Sequence, residues 1–460
     1  MTDLRAAGLN ELRQEMTNTY NRLHSIDQDS NFVSRVAHSG NLPVIPNLRC
    51  GAWYVDPSLI PSNGAAFAYF KSTDGHTSQW NFNLRRANLH LLPLIIAHGG
   101  IILIDSTRRG KRHPDALSRT VPIWCAVINR VLGLEGEHSG LFTPPDSVSP
   151  SEHAQMEDGI SKWAELLNAS EYTLPALTKP LRPFWISPDS SNPRPPTVDD
   201  SSHFYAIVCL SASQRVQDGV DRRLGFIYVQ GSGDDHEMWS KGLTPDLFWR
   251  HKDKLLACDQ TDLEDEITQI LEDTRNSEGI ALLNPIRPVH GRILVGTRAA
   301  NHPMYLGDLD TCAMLILTSN VSDVQQPENS TPTTLSVRSF YPKQHPTEFL
   351  THTLPISLEF IRTHLELPGS RVCILCKDAK DLSVGIATAA ITLYFNEAGY
   401  FVRDINRLVT KDMAKRRLQW VLSSCPGANP SRATLKRVNE YLMSPLRPSL
   451  LGKPAVVSPK

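Results

Sequence analysis

The clearest chemical pattern in the chain lies within residues 371–395. Val372–Leu375 is a short apolar run typical of a buried strand, and Val384–Phe395 is an Ala-rich run typical of a buried helix. The polar residues Cys376–Ser383 connect them. In a strand–loop–helix unit the loop amides and the positive end of the helix dipole face one point, so this stretch predicts an anion site.

Individual residues of the loop strengthen the prediction. Ser383 is suited to cap the helix, Gly385 lets a ligand approach the backbone, and Lys377 and Lys380 add positive charge. An ordinary strand-to-helix turn is the alternative. The residues predicted to bind a phosphorylated ligand are Cys376, Lys377, Asp378, Ala379, Lys380, Asp381, Leu382, Ser383 and Gly385, with Lys380 and Asp381 also predicted as catalytic.

The spacing of Cys376 and Ser383 resembles the loop of the cysteine-dependent dual-specificity phosphatases. That loop reads Cys, a short spacer, Arg and then Ser or Thr, but Leu382 stands at the position of the Arg here. Leu375 replaces the His that usually precedes the Cys. Because the Arg provides bidentate recognition of the transferring phosphoryl group, we expect phosphate binding without phosphatase chemistry, and an active phosphatase is the rival interpretation.

A second polar group follows a predicted strand at 224–229. Gly231 and Gly233 permit a tight turn, and Asp234, Asp235 and His236 supply acid–base groups or metal ligands. We predict the last three as catalytic residues. The alternative is an acid-rich helix N-terminus, which the helix dipole alone would favour.

A third group follows residues 99–105, a predicted buried strand that ends in Asp105. Hydroxyls and cations in the next loop suit a phosphorylated ligand, with or without a metal. We assign Arg108, Arg109 and Lys111 to ligand phosphates, together with Lys71 from the polar stretch 69–76, and Arg112 to nucleic acid. A solvated basic loop would look the same.

Composition limits the classes of function. With 460 residues and an apolar fraction of 40%, the chain is long enough for two or three domains. A net charge of −1 argues against a strongly basic, sequence-blind nucleic-acid binder. Of the eight scattered cysteines only Cys373 and Cys376 are close together, with no second pair for a zinc site. Neither a membrane span nor a signal peptide is evident, so we expect a reduced cytoplasmic protein.

The predicted elements give a mixed α/β fold. We expect an N-terminal α/β domain at 1–318 with mobile inserts near 141–155 and 183–202, a linker at 319–335, and a second α/β domain at 336–450. Two predicted helices, 411–422 and 431–443, end the second domain. Their basic residues are either a solvated face or a contact for a nucleic-acid backbone, and we assign that contact to Arg416, Arg417, Arg432 and Lys436.

Seven separate stretches together resemble one family, the fungal and plant initiator tRNA phosphoribosyl-transferases, or tRNA adenosine-64 2′-O-ribosylphosphate transferases. The stretches are Arg49–Pro57, Phe70–His76, Asp105–Lys111, Pro122–Ala126, Gln230–Glu237, Lys380–Gly385 and Asn429–Arg432. They span almost the whole chain in order. The resemblance implies a family-specific N-terminal domain followed by a dual-specificity-phosphatase-like domain.

The resemblance also implies an activity. A 5-phosphoribosyl group would pass from phosphoribosyl pyrophosphate (PRPP) to the 2′-hydroxyl of adenosine 64, in the T-stem region of initiator methionine tRNA, and keep the initiator out of elongation. Such an anionic donor calls for Mg²⁺. The resemblance leaves the general base open, and it implies no membrane or obligate protein partner. A tRNA- or phosphate-binding pseudophosphatase without transferase activity is the alternative.

Overall fold

The computed structural model describes residues 14–48, 50–60, 67–76, 78–108, 110–217, 219–277, 283–297, 312–318, 334–339, 341–367, 369–402, 409–425 and 427–444. The chain divides into two compact units, Met1–Asn276 and Ser277–Lys460. Each unit combines helices with its own sheet, which confirms the predicted mixed α/β class. None of the helices in the described ranges is both long and apolar enough to cross a lipid bilayer.

The first unit is built on a four-stranded parallel sheet with the order β1-β2-β4-β3. Its strands are β1 (Val44–Pro46), β2 (Gly100–Asp105), β3 (Leu181–Ile186) and β4 (Tyr205–Ser211). Every residue of β2 and β4 is buried, which explains why both read as uninterrupted apolar runs. Because all four strands are parallel, their carboxyl ends lie along one edge.

Helices cover both faces of this sheet. They are α1 (Thr19–His38), α2 (Gly51–Tyr54), α3 (Leu92–His98), α4 (Val121–Val131), α5 (Pro150–Asn168), α6 (Pro245–Arg250), α7 (Lys252–Ala257) and α8 (Leu263–Ser277). Ile101 and Leu103 of β2 pack in one core with α3, α4 and α5. Ile102 and Ile104 pack in the other core with the remaining helices, as the alternation of strand side chains requires.

A short antiparallel hairpin, β5 (Val220–Arg222) and β6 (Ile227–Val229), lies against α1. The side chains of Asn21 and Ser25 accept hydrogen bonds from the backbone N–H groups of Ile227 and Val229, at 3.0 and 2.9 Å. These bonds fix the start of the polar turn that follows β6.

The second unit has a five-stranded sheet with the order β10-β9-β11-β8-β7, in which only the pairing of β7 is antiparallel. The strands are β7 (Leu283–Pro285), β8 (Ile293–Thr297), β9 (Cys312–Thr318), β10 (Thr334–Arg338) and β11 (Arg371–Cys376). The helices are α9 (Pro346–Glu348), α10 (Leu354–Leu365), α11 (Leu382–Tyr394), α12 (Lys411–Ser424) and α13 (Arg432–Met443). The strand, loop and helix expected at 371–395 are therefore present.

Two details at the start of α11 differ from the prediction. Asp381 occupies the N-cap position, and Ser383 lies buried inside the first turn of the helix. A Cβ atom on Gly385 would lie 2.6 Å from Cγ2 of Thr434. Gly385 thus allows α13 to pack closely on α11, which is a packing role within the protein.

The predicted domain boundary is too late in the chain. Strands β8 and β9 flank β11 on its two sides and hydrogen bond to it, so they belong to the second sheet. The division falls between Asn276 and Ser277. Of the predicted linker 319–335, residues 319–333 lie outside the described residues, and the last two begin β10.

The two predicted inserts also contain regular structure. Helix α5 begins at Pro150, within 141–155, and Ser149 accepts a hydrogen bond from the backbone N–H of Glu152. A Ser cap followed by Pro is a helix start signal, which the high Pro and Ser content of this segment obscured. Residues 183–186 of the second insert belong to β3.

Gly51 provides a test of this architecture, because a Cβ atom there would lie only 2.3 Å from the backbone carbonyl oxygen of Ile104. We expect Gly51→Ala to lower the free energy of unfolding by about 1–3 kcal/mol, as overpacking typically does. Urea unfolding of the full chain measures this. Gly140→Ala is the matched control, since nothing lies within 4 Å of its Cβ position. Equal stability of the two variants would contradict the tight contact between α2 and β2.

Candidate functional site

Polar side chains collect where β2 and β4 end, next to the turn that follows β6. The Oγ atoms of Ser106 and Ser213 are 2.6 Å apart, and the backbone N–H of Gly231 donates to Ser213 Oγ at 3.2 Å. In open parallel sheets, ligands bind outside the carboxyl ends of the strands. This edge of the first sheet is therefore the candidate site.

Asp105 organises the inner layer of the site. Its carboxylate accepts hydrogen bonds from Asn47 Nδ2 at 2.8 Å, Cys50 Sγ at 2.7 Å and the backbone N–H of Ser106 at 2.9 Å. Burial raises the pKa of Asp105 to about 6. Because Asn47 and Cys50, which follow β1, both donate to its carboxylate, Asp105 links the segment after β1 to the end of β2.

Arg108 joins the basic loop to the predicted acid–base residues. Its Nε lies 3.1 Å from Asp234 Oδ2, and its Nη1 lies 2.8 Å from Asp235 Oδ2. Gly231 has a φ of +73°, and a Cβ there would lie 2.5 Å from Cγ of Arg108. A glycine is thus required at position 231 for Arg108 to pass the turn. The structure brings together Arg108, predicted to bind phosphate, and Asp234 and Asp235, predicted to be catalytic.

Arg22 is a site residue that the sequence analysis missed. Its Nη1 donates to the carbonyl oxygens of Ser232 at 2.8 Å and Asp234 at 3.1 Å, so it supports the turn from the side of α1. Desolvation lowers the pKa of Arg22 to about 10. The available signal was its spacing: Arg22, Ile26 and Asp29 share one helical face, on which the structure buries two charged residues.

Asp29 is the second buried charged residue on that face. It accepts from the Tyr228 hydroxyl at 2.9 Å, and that hydroxyl accepts from the backbone N–H of Gln214 at 2.8 Å. Burial raises the pKa of Asp29 to about 8, in spite of hydrogen bonds that include one from Ser213. The Tyr54 hydroxyl accepts from Ser213 at 3.5 Å and from the backbone N–H of Gly233 at 2.8 Å. A continuous buried hydroxyl network thus links α1 to the site.

The remaining predicted residues of the first unit lie in different surroundings. His236 is half-buried with its ring centroid 6.1 Å from that of Trp53. Lys111 is exposed and pairs with Asp115 at 3.1 Å. Lys71 lines a small depression with Asp74, Arg86 and Trp124, and Arg108 is not among its lining residues.

Two of the predicted arginines in the basic loop need separate mention. Arg112 pairs with Asp146 at 2.7 Å, and its Nε donates to Ser187 Oγ at 2.9 Å, so its guanidinium is held by the protein itself. Arg109 lies outside the described residues. The nucleic-acid contact predicted for Arg112 and the phosphate contact predicted for Arg109 stay predictions.

The loop of the second unit has internal partners that the sequence analysis did not anticipate. Cys376 Sγ lies 3.0 Å from Ser383 Oγ. Asp378 Oδ1 accepts from the backbone N–H of Lys380 at 3.0 Å and lies 3.7 Å from Cys376 Sγ. Asp381 Oδ1 accepts from the backbone N–H of Ser431 at 2.8 Å.

Leu382 contributes to the hydrophobic core of the second unit, so its side chain does not replace the missing cation. Lys377 and Lys380 are exposed, and Ala379 adopts a φ of +53°. The exposed cations expected in the loop are thus present, but Asp378 and Asp381 balance them.

The basic residues at the carboxyl end of the second unit separate into two groups. Arg417 is 1% exposed, pairs with Glu397 at 3.0 Å and lies 3.8 Å from the ring centroid of Trp420. The prediction of a nucleic-acid contact by Arg417 is therefore wrong, because helix packing buries it. Arg416 lies 3.5 Å from the same carboxylate. Arg432 and Lys436 are exposed.

Comparisons with known sequences cover both units. A family model described as Rit1 N-terminal domain matches residues 12–272, and one described as Rit1 DUSP-like domain matches residues 335–442. The second description agrees with the expected dual-specificity-phosphatase-like domain.

Two curated relatives come from yeasts. The Saccharomyces cerevisiae tRNA A64-2′-O-ribosylphosphate transferase is 29% identical, and the alignment covers 94% of this chain and 94% of that protein. The Schizosaccharomyces pombe uncharacterized protein C3F10.06c is 42% identical over 268 residues. That alignment covers 56% of this chain and 57% of the relative.

Two solved structures are similar to part of the chain. A mouse putative dual specificity phosphatase complexed with zinc tungstate is 20% identical, with a TM-score of 0.24, and the match covers 36% of this chain and 89% of that one. Human DUSP28 is also 20% identical, with a TM-score of 0.23, and the match covers 35% of this chain and 91% of that one.

Asp29 generates a pH prediction. Its pKa is raised to about 8 in the folded protein from an ordinary value of 3.8. Between these values the folded state retains a proton that the unfolded chain has released, so stability falls as the pH rises, by up to about 1.4 kcal/mol per pH unit. We expect Asp29→Asn to remove this decline in urea unfolding between about pH 5 and pH 8. Parallel curves for the variant and the wild type would show that Asp29 does not titrate in that window.

Proposed function

Because the chain belongs to the Rit1 family, we propose that it transfers a 5-phosphoribosyl group from PRPP to the 2′-hydroxyl of adenosine 64 of initiator methionine tRNA. The observation that carries the proposal is the alignment with the yeast transferase, which extends over 94% of both chains. A relative that shared one domain would support a binding module equally well. Agreement across both units favours a transferase, which we place in the cytoplasm.

The reaction defines what the site must do. The 2′-oxygen of the tRNA forms a bond to the anomeric carbon of the donor, the bond from that carbon to the pyrophosphate breaks, and the hydroxyl proton passes to a base. The pyrophosphate leaves with the bonding electrons. The protein must therefore hold a polyanion, align the hydroxyl and accept one proton.

The edge of the first sheet supplies groups for these tasks. We assign the donor's phosphates to Arg108 and Lys111, which follow β2, with Arg109 and Lys71 as further candidates. Arg108 already spans two carboxylates, so an incoming phosphate would compete with Asp234 and Asp235 for its guanidinium. The turn that carries these carboxylates is fixed by Arg22, which limits how far they can move.

Mg²⁺ would accompany the donor in this proposal. Within the described part of the chain, no group of three or more His, Cys, Asp or Glu side chains is placed to hold a metal ion. Mg²⁺ in nucleotide sites usually takes only one or two carboxylates, together with substrate phosphates. The adjacent Asp234 and Asp235 would supply these carboxylates. The ion would neutralise charge on the leaving pyrophosphate.

His236 is the proposed proton acceptor. With Asp234 and Asp235 assigned to Arg108 and to Mg²⁺, His236 is the remaining predicted acid–base residue of this turn. Its ring centroid lies 6.1 Å from that of Trp53 in α2. A neutral imidazole nitrogen can accept the hydroxyl proton, as a general base must.

Labelled PRPP tests the whole proposal. We expect label to enter initiator tRNA in the presence of Mg²⁺, and we expect no label in a tRNA whose adenosine 64 lacks the 2′-hydroxyl. Elongator methionine tRNA is the specificity control. Tight tRNA binding without any transfer of label would instead support a non-catalytic binding protein.

The assignments within the site predict different kinetic effects. His236→Gln should lower kcat about 10²–10⁴-fold, as loss of a general base does, with little change in KM for PRPP. Arg108→Gln should instead raise KM for PRPP. Arg130→Gln, an exposed cation of the same unit, is the control. Equal effects of the first two variants on both constants would contradict the division of roles.

A further inference from the structure

The phosphatase-like loop of the second unit already contains an anion of its own. Asp378 Oδ1 is within 3.0 Å of the Lys380 amide nitrogen and within 3.7 Å of Cys376 Sγ. A ligand oxygen bound above the cysteine and held by the loop amides would need this same position. The carboxylate and a phosphate therefore compete for one place.

The charge of the loop reinforces that competition. Lys377 and Lys380 contribute two positive charges, and Asp378 and Asp381 contribute two negative charges, so residues 377–381 are neutral in sum. Burial raises the pKa of Tyr341, and the nearby carboxylates Asp378 and Asp381 add to that shift.

The exposed face beside this loop carries a net positive charge. The backbone N–H of Ser431, at the start of α13, is tied to Asp381, so the first turn of α13 adjoins the loop. A shallow depression of about 710 Å³ lies along α13 and reaches Lys411 of α12. Among its lining residues, four cations face one carboxylate, namely Lys411, Arg432, Lys436 and Arg437 against Glu440.

We propose that the second unit is a docking surface for the sugar–phosphate backbone of the tRNA and takes no part in holding the donor, because Asp378 occupies the anion position of its loop. This inference rests on the proposed function, which supplies the RNA. Exposed lysines and arginines on a shallow surface suit phosphate contacts, which dominate RNA affinity without reading sequence. Protein interfaces, in contrast, are depleted in charged residues at their centres.

Binding of fluorescently labelled initiator tRNA to the full chain, without PRPP, tests the docking surface. Replacing Arg432 and Lys436 together by Gln should weaken binding about tenfold and reduce the salt dependence by the equivalent of about two phosphate contacts. KM for tRNA should rise equally, with KM for PRPP unchanged. Arg371→Gln is the matched control, because Arg371 is exposed at the opposite end of β11.

Two loop variants test the resident anion. Cys376→Ser should leave KM for PRPP within about twofold of the wild type. Asp378→Ala frees the Lys380 amide, so inorganic phosphate should raise its melting temperature more than it raises that of the wild type. A tenfold rise in KM for PRPP with Cys376→Ser, or an equal response to phosphate, would overturn the inference.

The outcomes separate the two levels of the proposal. If the wild-type chain binds tRNA and transfers label, and the Arg432 and Lys436 double variant binds tRNA equally well, the docking surface alone is contradicted. A wild-type chain that binds tRNA without transferring label contradicts the proposed function. If the double variant then binds an acidic protein less well but tRNA equally well, the surface serves a protein partner, and the RNA assignment is wrong.

Discussion

The burial of β2 and β4 on both faces is the constraint from which the candidate site follows. A strand covered by helices on both sides has no place for a polar side chain, because an unpaired polar group in a dry core is costly. Polar groups of the central strands are therefore confined to their ends, at Asp105 and Ser211. Since the strands are parallel, these ends converge on one edge, and the loops that leave it carry the basic and acidic residues.

The same cost explains why α1 belongs to the site. Arg22 and Asp29 are both less than 6% exposed and face the core side of the helix, so each needs a partner inside the protein. Arg22 finds the carbonyls of Ser232 and Asp234, and Asp29 finds the hydroxyl of Tyr228. These three partners lie on β6 or the turn after it, so the helix fixes that turn through the very groups that are costly to bury.

The sequence allowed the local units to be predicted better than their assembly. The strand ending at Asp105 and the strand–loop–helix at 371–395 were readable because burial leaves continuous apolar runs. The membership of Ile293–Thr297 in the second sheet depends on pairing with β11, which no local pattern records. The exposure of Arg417 was predicted wrongly for a related reason. The sequence does not show which face of a helix is packed, so a cation on that helix is taken to be exposed to solvent. The pairing of Arg108 with Asp234 likewise joins residues far apart in the chain.

Both units place a polar loop after a central parallel strand, yet the two loops have different chemistry. After β2, the strand-end carboxylate accepts hydrogen bonds from Asn47 and Cys50, and the loop cation Arg108 pairs instead with Asp234 and Asp235 of the turn after β6. After β11, the loop's own carboxylate takes up an amide that an anionic ligand would otherwise use, and the position of the phosphatase arginine is a core leucine. The shared strand–loop–helix topology therefore does not establish a shared function. In the first unit, the carboxylates that pair with Arg108 belong to a separate turn, whereas in the second unit a carboxylate of the loop itself binds a loop amide. The first unit is therefore the better candidate for a polyanion site.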